Sequence, residues 1–116
     1  MLQYSHINQG DGLKIYVSGK ITGLDYHETF AKFEQGEELL KAMFPKAEIV
    51  NPLKLHPPEM QNTQSWEWFM LEDIAALLPC HMIAFLHDWK DSKGARIEHT
   101  IAAEMNKHIL FLQGLS

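Results

Sequence analysis

Cysteine is almost missing from this sequence. The single residue, Cys80, excludes an internal disulfide and any cysteine-rich zinc site. Cations are scarce as well: 10 Lys and Arg stand against 15 Asp and Glu, a net charge of −5. A broad nucleic-acid-binding face needs clustered cations against phosphate, so no polymeric nucleic acid is expected as a partner. One small anion held locally stays compatible with that balance. No apolar run approaches the roughly 20 residues of a membrane span; Met82–Leu86, which no other run exceeds, is far shorter. The stretch Met1–Asp11 is polar and lacks the apolar centre of a signal peptide. A soluble, cytoplasmic protein in a reducing compartment, with no membrane partner, is the expectation. Internal repeats and low-complexity tracts are absent too. What remains is an ordinary globular balance of 46% hydrophobic and 22% charged residues in 116. That length suits one domain, residues 1–116, able to bury roughly 65% of its unfolded surface.

Four short apolar segments punctuate the chain: Leu13–Ser18, Ala47–Asn51, Met82–His87 and His108–Leu112. Each has strand length and β-branched or aromatic content. Segments of helical period separate them. The first opens near Asp25, where Asp25 and Glu28 make a capping-box pair, and sets Tyr26, Phe30, Phe33, Leu40 and Phe44 on one face until Pro45 bars continuation. The second runs from about Ser65 to Leu78 with Trp66, Met70, Ile74 and Leu77 as its stripe, and Pro79 ends it. The third starts near Ser92 or Lys93, carries Ile97, Ile101 and Met105, and gives way around Asn106. Strands alternating with helices imply β-α-β units, a parallel sheet and helices on both faces. The expected architecture is a small doubly wound α/β domain, flavodoxin- or Rossmann-like, with four parallel strands in the order 2-1-3-4. Pro52–Gln64 is a long connection with three prolines, which reads as a lid or binding loop.

Ligands of such sheets bind beyond the carboxyl ends of the strands, where strand order reverses. Here that selects the loops after strands one and three. The first reads Ser18-Gly19-Lys20-Ile21-Thr22-Gly23: two glycines for close backbone approach, a cation and two hydroxyls ahead of a helix N-terminus. The P-loop spacing is missing, and a tight turn needing glycine for geometry alone would look the same. The loop after strand three runs His87-Asp88-Trp89-Lys90-Asp91-Ser92-Lys93-Gly94, with Ser92 placed to cap the next helix and Gly94 exposing first-turn amides.

Two carboxylates stand out. Glu98 falls about one turn into the third helix, at the edge of its apolar stripe and near the ligand end. The helix dipole would keep it ionised, as a nucleophile requires; equally, it could only stabilise the first turns. Asp73 borders the apolar face of the second helix, where burial would raise its pKa and suit a general acid. An exposed partner of a cation, or a hydrogen-bonded core acid, is the other reading. Glu72 projects about 100° away, towards solvent. The seven histidines include no H-x-x-x-H or H-E-x-x-H spacing, so no catalytic metal is expected.

Taken together, KIYVSGKITG, a long helix, IVNP, the W-x-W-x-x-x-x-D helix, an apolar strand and D-W-x-x-S-x-G-A-x-x-E resemble the nucleoside 2-deoxyribosyltransferase-like superfamily, and within it a group of small phage and bacterial proteins. The resemblance spans roughly Lys14 to Leu112. It implies cleavage or transfer at the N-glycosidic bond of a nucleoside or nucleoside 5′-monophosphate, chemistry that needs no metal or other cofactor. Glu98 matches the nucleophile that attacks C1′, and Asp73 matches the acid that helps protonate the departing base. Ser92, Gly19, Lys20 and Gly23 match positions that hold a 5′-phosphate in the related deoxyribonucleoside 5′-monophosphate N-glycosidases. Asp91 resembles an acidic residue near the base, one position out of register. Ser18 and Gly94 complete the two loops. Those glycosidases carry an Arg where Thr22 stands, and the transferases complete a neighbour's pocket with C-terminal residues, whereas Ser116 closes this sequence just past the fourth strand. A homo-oligomer is implied by the resemblance alone. The rival expectation is a non-catalytic nucleotide- or sugar-phosphate-binding module on the same fold, since fold does not fix function; a structural protein of a mobile element is a third.

Overall fold

A computed structural model describes residues 10–60 and 63–112. The four apolar segments become parallel strands β1 (Lys14–Ser18), β2 (Glu48–Val50), β3 (Met82–Phe85) and β4 (His108–Phe111). They form one sheet in the order β2-β1-β3-β4, the order expected from the alternation of strands and helices. Between them lie helices α1 (Tyr26–Met43), α2 (Pro52–Leu55), α3 (Trp66–Leu77) and α4 (Lys93–Glu104). The predicted strands are trimmed by one or two residues, as the ends of ladders fray into the connecting loops.

Side chains alternate across β1, and the two faces collect different partners. Ile15 and Val17, with Ala84 and Leu86, pack under Phe33 and Leu40 of α1 and against Leu112. Tyr16, with Ile83 and Phe85, meets Leu77 of α3 and Ala95 and Ala102 of α4. The result is a sheet with α1 on one face and α3 and α4 on the other.

Helix starts are set locally. Asp25 accepts from the Glu28 N–H at 3.0 Å, Ser65 from Trp68 N–H at 3.0 Å and Ser92 from Ala95 N–H at 3.1 Å. Each side chain satisfies an amide that has no intrahelical partner. At the far end of α4, Asn106 takes φ 57, a left-handed turn that Asn tolerates and that stops the helix.

Two buried stripes differ from the sequence expectation. In α1, Phe33 and Leu40 are buried, whereas Phe30 and Phe44 only flank them, and Thr29, Gly36 and Glu37 take buried positions as well. A Cβ at Gly36 would come within 2.8 Å of Leu86 Cδ2, so glycine lets α1 settle close onto the sheet. In α4 the buried line is Ala95, Glu98 and Ala102, and Met105 is exposed. Two alanines allow α4 to approach the sheet closely, which moves Ile97 and Ile101 to its flanks and Glu98 from the edge to the centre. The segment read as a lid or binding loop lines a cavity through Pro52, Leu53, His56 and Gln64: Pro52 and Leu53 of α2 are buried, a 3-10 turn follows at Pro58–Met60, and part of the remainder lies outside the described residues.

Candidate active site

At the carboxyl ends of β1 and β2 the helices leave a cavity of about 340 Å³, within the range of small-molecule sites. Its floor is polar. Glu98 is 4% exposed, and both its oxygens are held from β1: Ser18 Oγ donates to Oε1 at 2.6 Å and Tyr16 OH donates to Oε2 at 2.8 Å. Tyr16 and Ser18 sit two residues apart on one strand, so the pleat points both hydroxyls at the same carboxyl group. Across the cavity Asp73 of α3 meets His56, which follows α2, with Oδ1 and Nε2 2.8 Å apart. Ile21, Leu24, Trp66, Phe69 and Met70 supply apolar wall above this floor.

Burial sets the electrostatics. It pushes the Glu98 carboxyl up to about 7; the Ser18 and Tyr16 hydrogen bonds pull the other way, and the Asp73 charge adds to the rise. Asp73 is pushed up to about 6 by burial, opposed by its hydrogen bond and charge interaction with His56. Burial and the neighbouring Glu98 charge hold the Tyr16 phenol well above its ordinary value, so it remains a donor. The helix-dipole expectation for Glu98 is therefore corrected. Removal from water at a nearly inaccessible position raises the Glu98 carboxyl, as it raises that of Asp73.

Most residues selected from sequence converge here. Ser18, Gly19, Gly23, Asp73, Ser92, Gly94 and Glu98 all line the cavity. Gly19 lies against β3, where a Cβ would approach Leu86 Cβ at 3.0 Å, and Gly23 takes φ 83, in the left-handed region. Lys20 and Asp91 do not line it. Lys20 contributes its backbone: its N–H donates to Asp88 Oδ1 at 3.0 Å, and its carbonyl accepts from Lys32 Nζ at 2.9 Å. Lys32 also pairs with Asp88 Oδ2, so one ion pair clasps the first loop, α1 and the end of β3 together. Burial alone would raise the Asp88 carboxyl, but Lys32 and the Lys20 amide hold it below its usual range. Asp91 is exposed and ends a 3-10 turn. Glu72 is exposed, as its direction on the helix required.

His56 and Tyr16 were missed from sequence. Tyr16 had a readable signal, since it alternates with Ser18 in an otherwise apolar strand. His56 had none, because it lies in an aperiodic connection. Among the described residues no group of three or more His, Cys, Asp or Glu is placed to hold a metal ion. No helix among them is long and apolar enough to cross a membrane.

Fold and site together define a parallel α/β protein with a two-carboxylate pocket at the carboxyl ends of β1 and β2. Residues 13–111 match the model of the family described as Domain of unknown function (DUF4406), and the chain belongs to that family. No curated protein and no solved structure matches it significantly.

Proposed function

We propose that this protein cleaves, or transfers across, the N-glycosidic bond of a nucleoside or nucleoside 5′-monophosphate, with Glu98 as nucleophile. The observation that carries the reading is the pair of buried carboxyl groups with raised pKa in one small-molecule cavity, Glu98 oriented by two hydroxyls and Asp73 by an imidazole. Such pairs are the working parts of retaining glycoside chemistry, in which one carboxylate attacks and a second group supplies a proton.

In the reaction a Glu98 oxygen bonds to C1′ as the C1′–N bond breaks, and that bond's electron pair leaves with the base. The His56–Asp73 pair supplies the proton the base takes up. His56 and Asp73 are joined by a short hydrogen bond, so the acid is the shared proton of the pair rather than Asp73 alone. The glycosyl ester on Glu98 is then opened by water, giving the free sugar, or by a second base, giving a new nucleoside. Ser18 and Tyr16 hold the carboxylate in one orientation before attack, so little reorganisation is needed in the transition state. On this reading Ser92 and Gly94, which line the cavity at the start of α4, receive the sugar 5′ end, and the Lys93 ammonium lies 5.1 Å from the Trp66 ring centroid.

The test is incubation with a panel of deoxynucleosides and their 5′-monophosphates, with free base followed by chromatography. Release by the native protein and its loss in Glu98→Gln are expected. Absence of release by the native protein, or equal release by the variant, overturns the proposal; ligand binding without turnover would make the site a binding module.

A further inference from the structure

Among the described residues, the most buried charged side chain outside the cavity is Glu37 of α1, 5% exposed, and nothing in the proposed chemistry uses it. Its contacts converge on one short element. Asn51 Nδ2 donates to Glu37 Oε1 at 3.2 Å, and Lys54 Nζ lies 3.0 Å from the same oxygen. Asn51 is the residue that caps α2, accepting from Leu53 N–H at 3.0 Å, and Lys54 is part of α2 itself. Glu37 therefore grips this single turn at its start and along its length. Lys54 also reaches Glu34, at 3.1 Å, while Lys41 pairs with the other Glu37 oxygen at 2.9 Å. Burial would raise the Glu37 carboxyl, but Lys41, Lys54 and Asn51 outweigh it and keep it below the ordinary range. It stays a charged anchor. The next residue after the gripped turn is His56, whose ring meets Asp73.

A four-residue helix has almost no stability of its own, since one turn fixes several dihedrals for a single hydrogen bond. Its orientation must come from outside. We propose that Glu37 is a positioning residue of this site, acting through Asn51 and Lys54 to hold the turn that presents His56 to Asp73. The catalytic importance of that presentation rests on the proposed reaction; the geometric claim does not.

The test reads Asp73 directly, by carbon NMR of aspartate-labelled protein across a pH titration, with no turnover required. His56 and Glu72 are the titratable groups acting on Asp73, and Glu98 and Tyr16 are acted on by it. Replacing His56 by Gln should move the Asp73 midpoint up by about one pH unit, the size of losing a close favourable partner. In a Lys54→Met background the same replacement should move it by less than half as much. Lys54 is 43% exposed, so that variant should fold. Glu37→Gln, which keeps an acceptor for Asn51, should act likewise. Lys41→Met removes an ion pair from Glu37 without touching the turn, and should leave the full His56 effect. A full His56 effect in both Lys54→Met and Glu37→Gln, no His56 effect in the native protein, or an equal loss in Lys41→Met overturns the proposal. Failure of base release with the coupling intact overturns only the reaction.

Discussion

Replacing Glu98 by Gln should abolish a loss of stability that the native protein suffers as pH rises through neutrality. The folded-state pKa of Glu98 is about 7, against the ordinary 4.5. A rise of this size corresponds to about 3 kcal/mol at 1.36 kcal/mol per unit, and no discount for solvent screening applies to a side chain 4% exposed. The folded state binds more protons than the unfolded chain between these values. The stabilisation is therefore complete below about pH 4.5 and is lost as pH rises through about 7. Glutamine does not titrate. Its carbonyl can accept from one of the two hydroxyls while its amide donates to the other, so the site stays satisfied. Urea unfolding of both proteins at several pH values and constant ionic strength gives the difference in stability directly, and the Asp73 titration, present in both chains, largely cancels. The native protein should lose about 3 kcal/mol relative to Glu98→Gln between pH 4.5 and 8.5, a large share of the roughly 5–15 kcal/mol typical of a domain. Parallel pH profiles would refute the argument. A native protein that gains on the variant as pH rises would mean that the hydroxyl donors and the helix dipole outweigh burial.

Catalysis should follow a narrow bell in pH with its optimum between the two values of about 6 and about 7 set by Asp73 and Glu98, readable from initial rates of base release. Because the hydrogen bonds from Ser18 and Tyr16 lower the Glu98 pKa, Tyr16→Phe should shift the Glu98-dependent limb to higher pH, and an unmoved profile would sever that link. Gly19→Ala forces a Cβ to within 3.0 Å of Leu86 Cβ and should cost about 1–3 kcal/mol by denaturant unfolding. Lys32→Met leaves Asp88 without its ammonium partner in a clasp whose side chains are each 15% exposed, and should destabilise by about 2 kcal/mol, less than a fully buried pair would. The buried Cys80 thiol, pushed up to about 11 by burial, should react with a thiol reagent only as fast as the protein unfolds.

The sheet was readable because its strands are short β-branched runs bounded by helix caps and prolines, signals that act within a few residues. Glu98 and Asp73 were readable as carboxylates on or beside apolar helical faces. The raised pKa of Glu98 was not, because it depends on how deeply the side chain is buried, which no local pattern encodes. Ala95 and Ala102 flank Glu98 at helical spacing, and that line of small residues was the available hint that α4 packs through Glu98. Lys20 misled for a different reason. Sequence marks a cation in a glycine loop but does not tell an ammonium in use from an amide in use, and here Asp88 takes the amide. His56 and Glu37 depend on contacts 17 and 14 residues away, with Asp73 and Asn51, beyond the reach of any periodicity.

The alternation of β1 has a consequence for folding. Tyr16 pairs with Ile83 and Ser18 with Phe85 in the β1–β3 ladder. A slip of one residue would turn Ile15 and Val17 towards α4 and both hydroxyls towards α1. Glu98 would then be shut against hydrocarbon with no donor, a penalty that grows as it ionises. The carboxylate thus proofreads strand pairing: the register that completes the hydrophobic layers is also the one that satisfies Glu98.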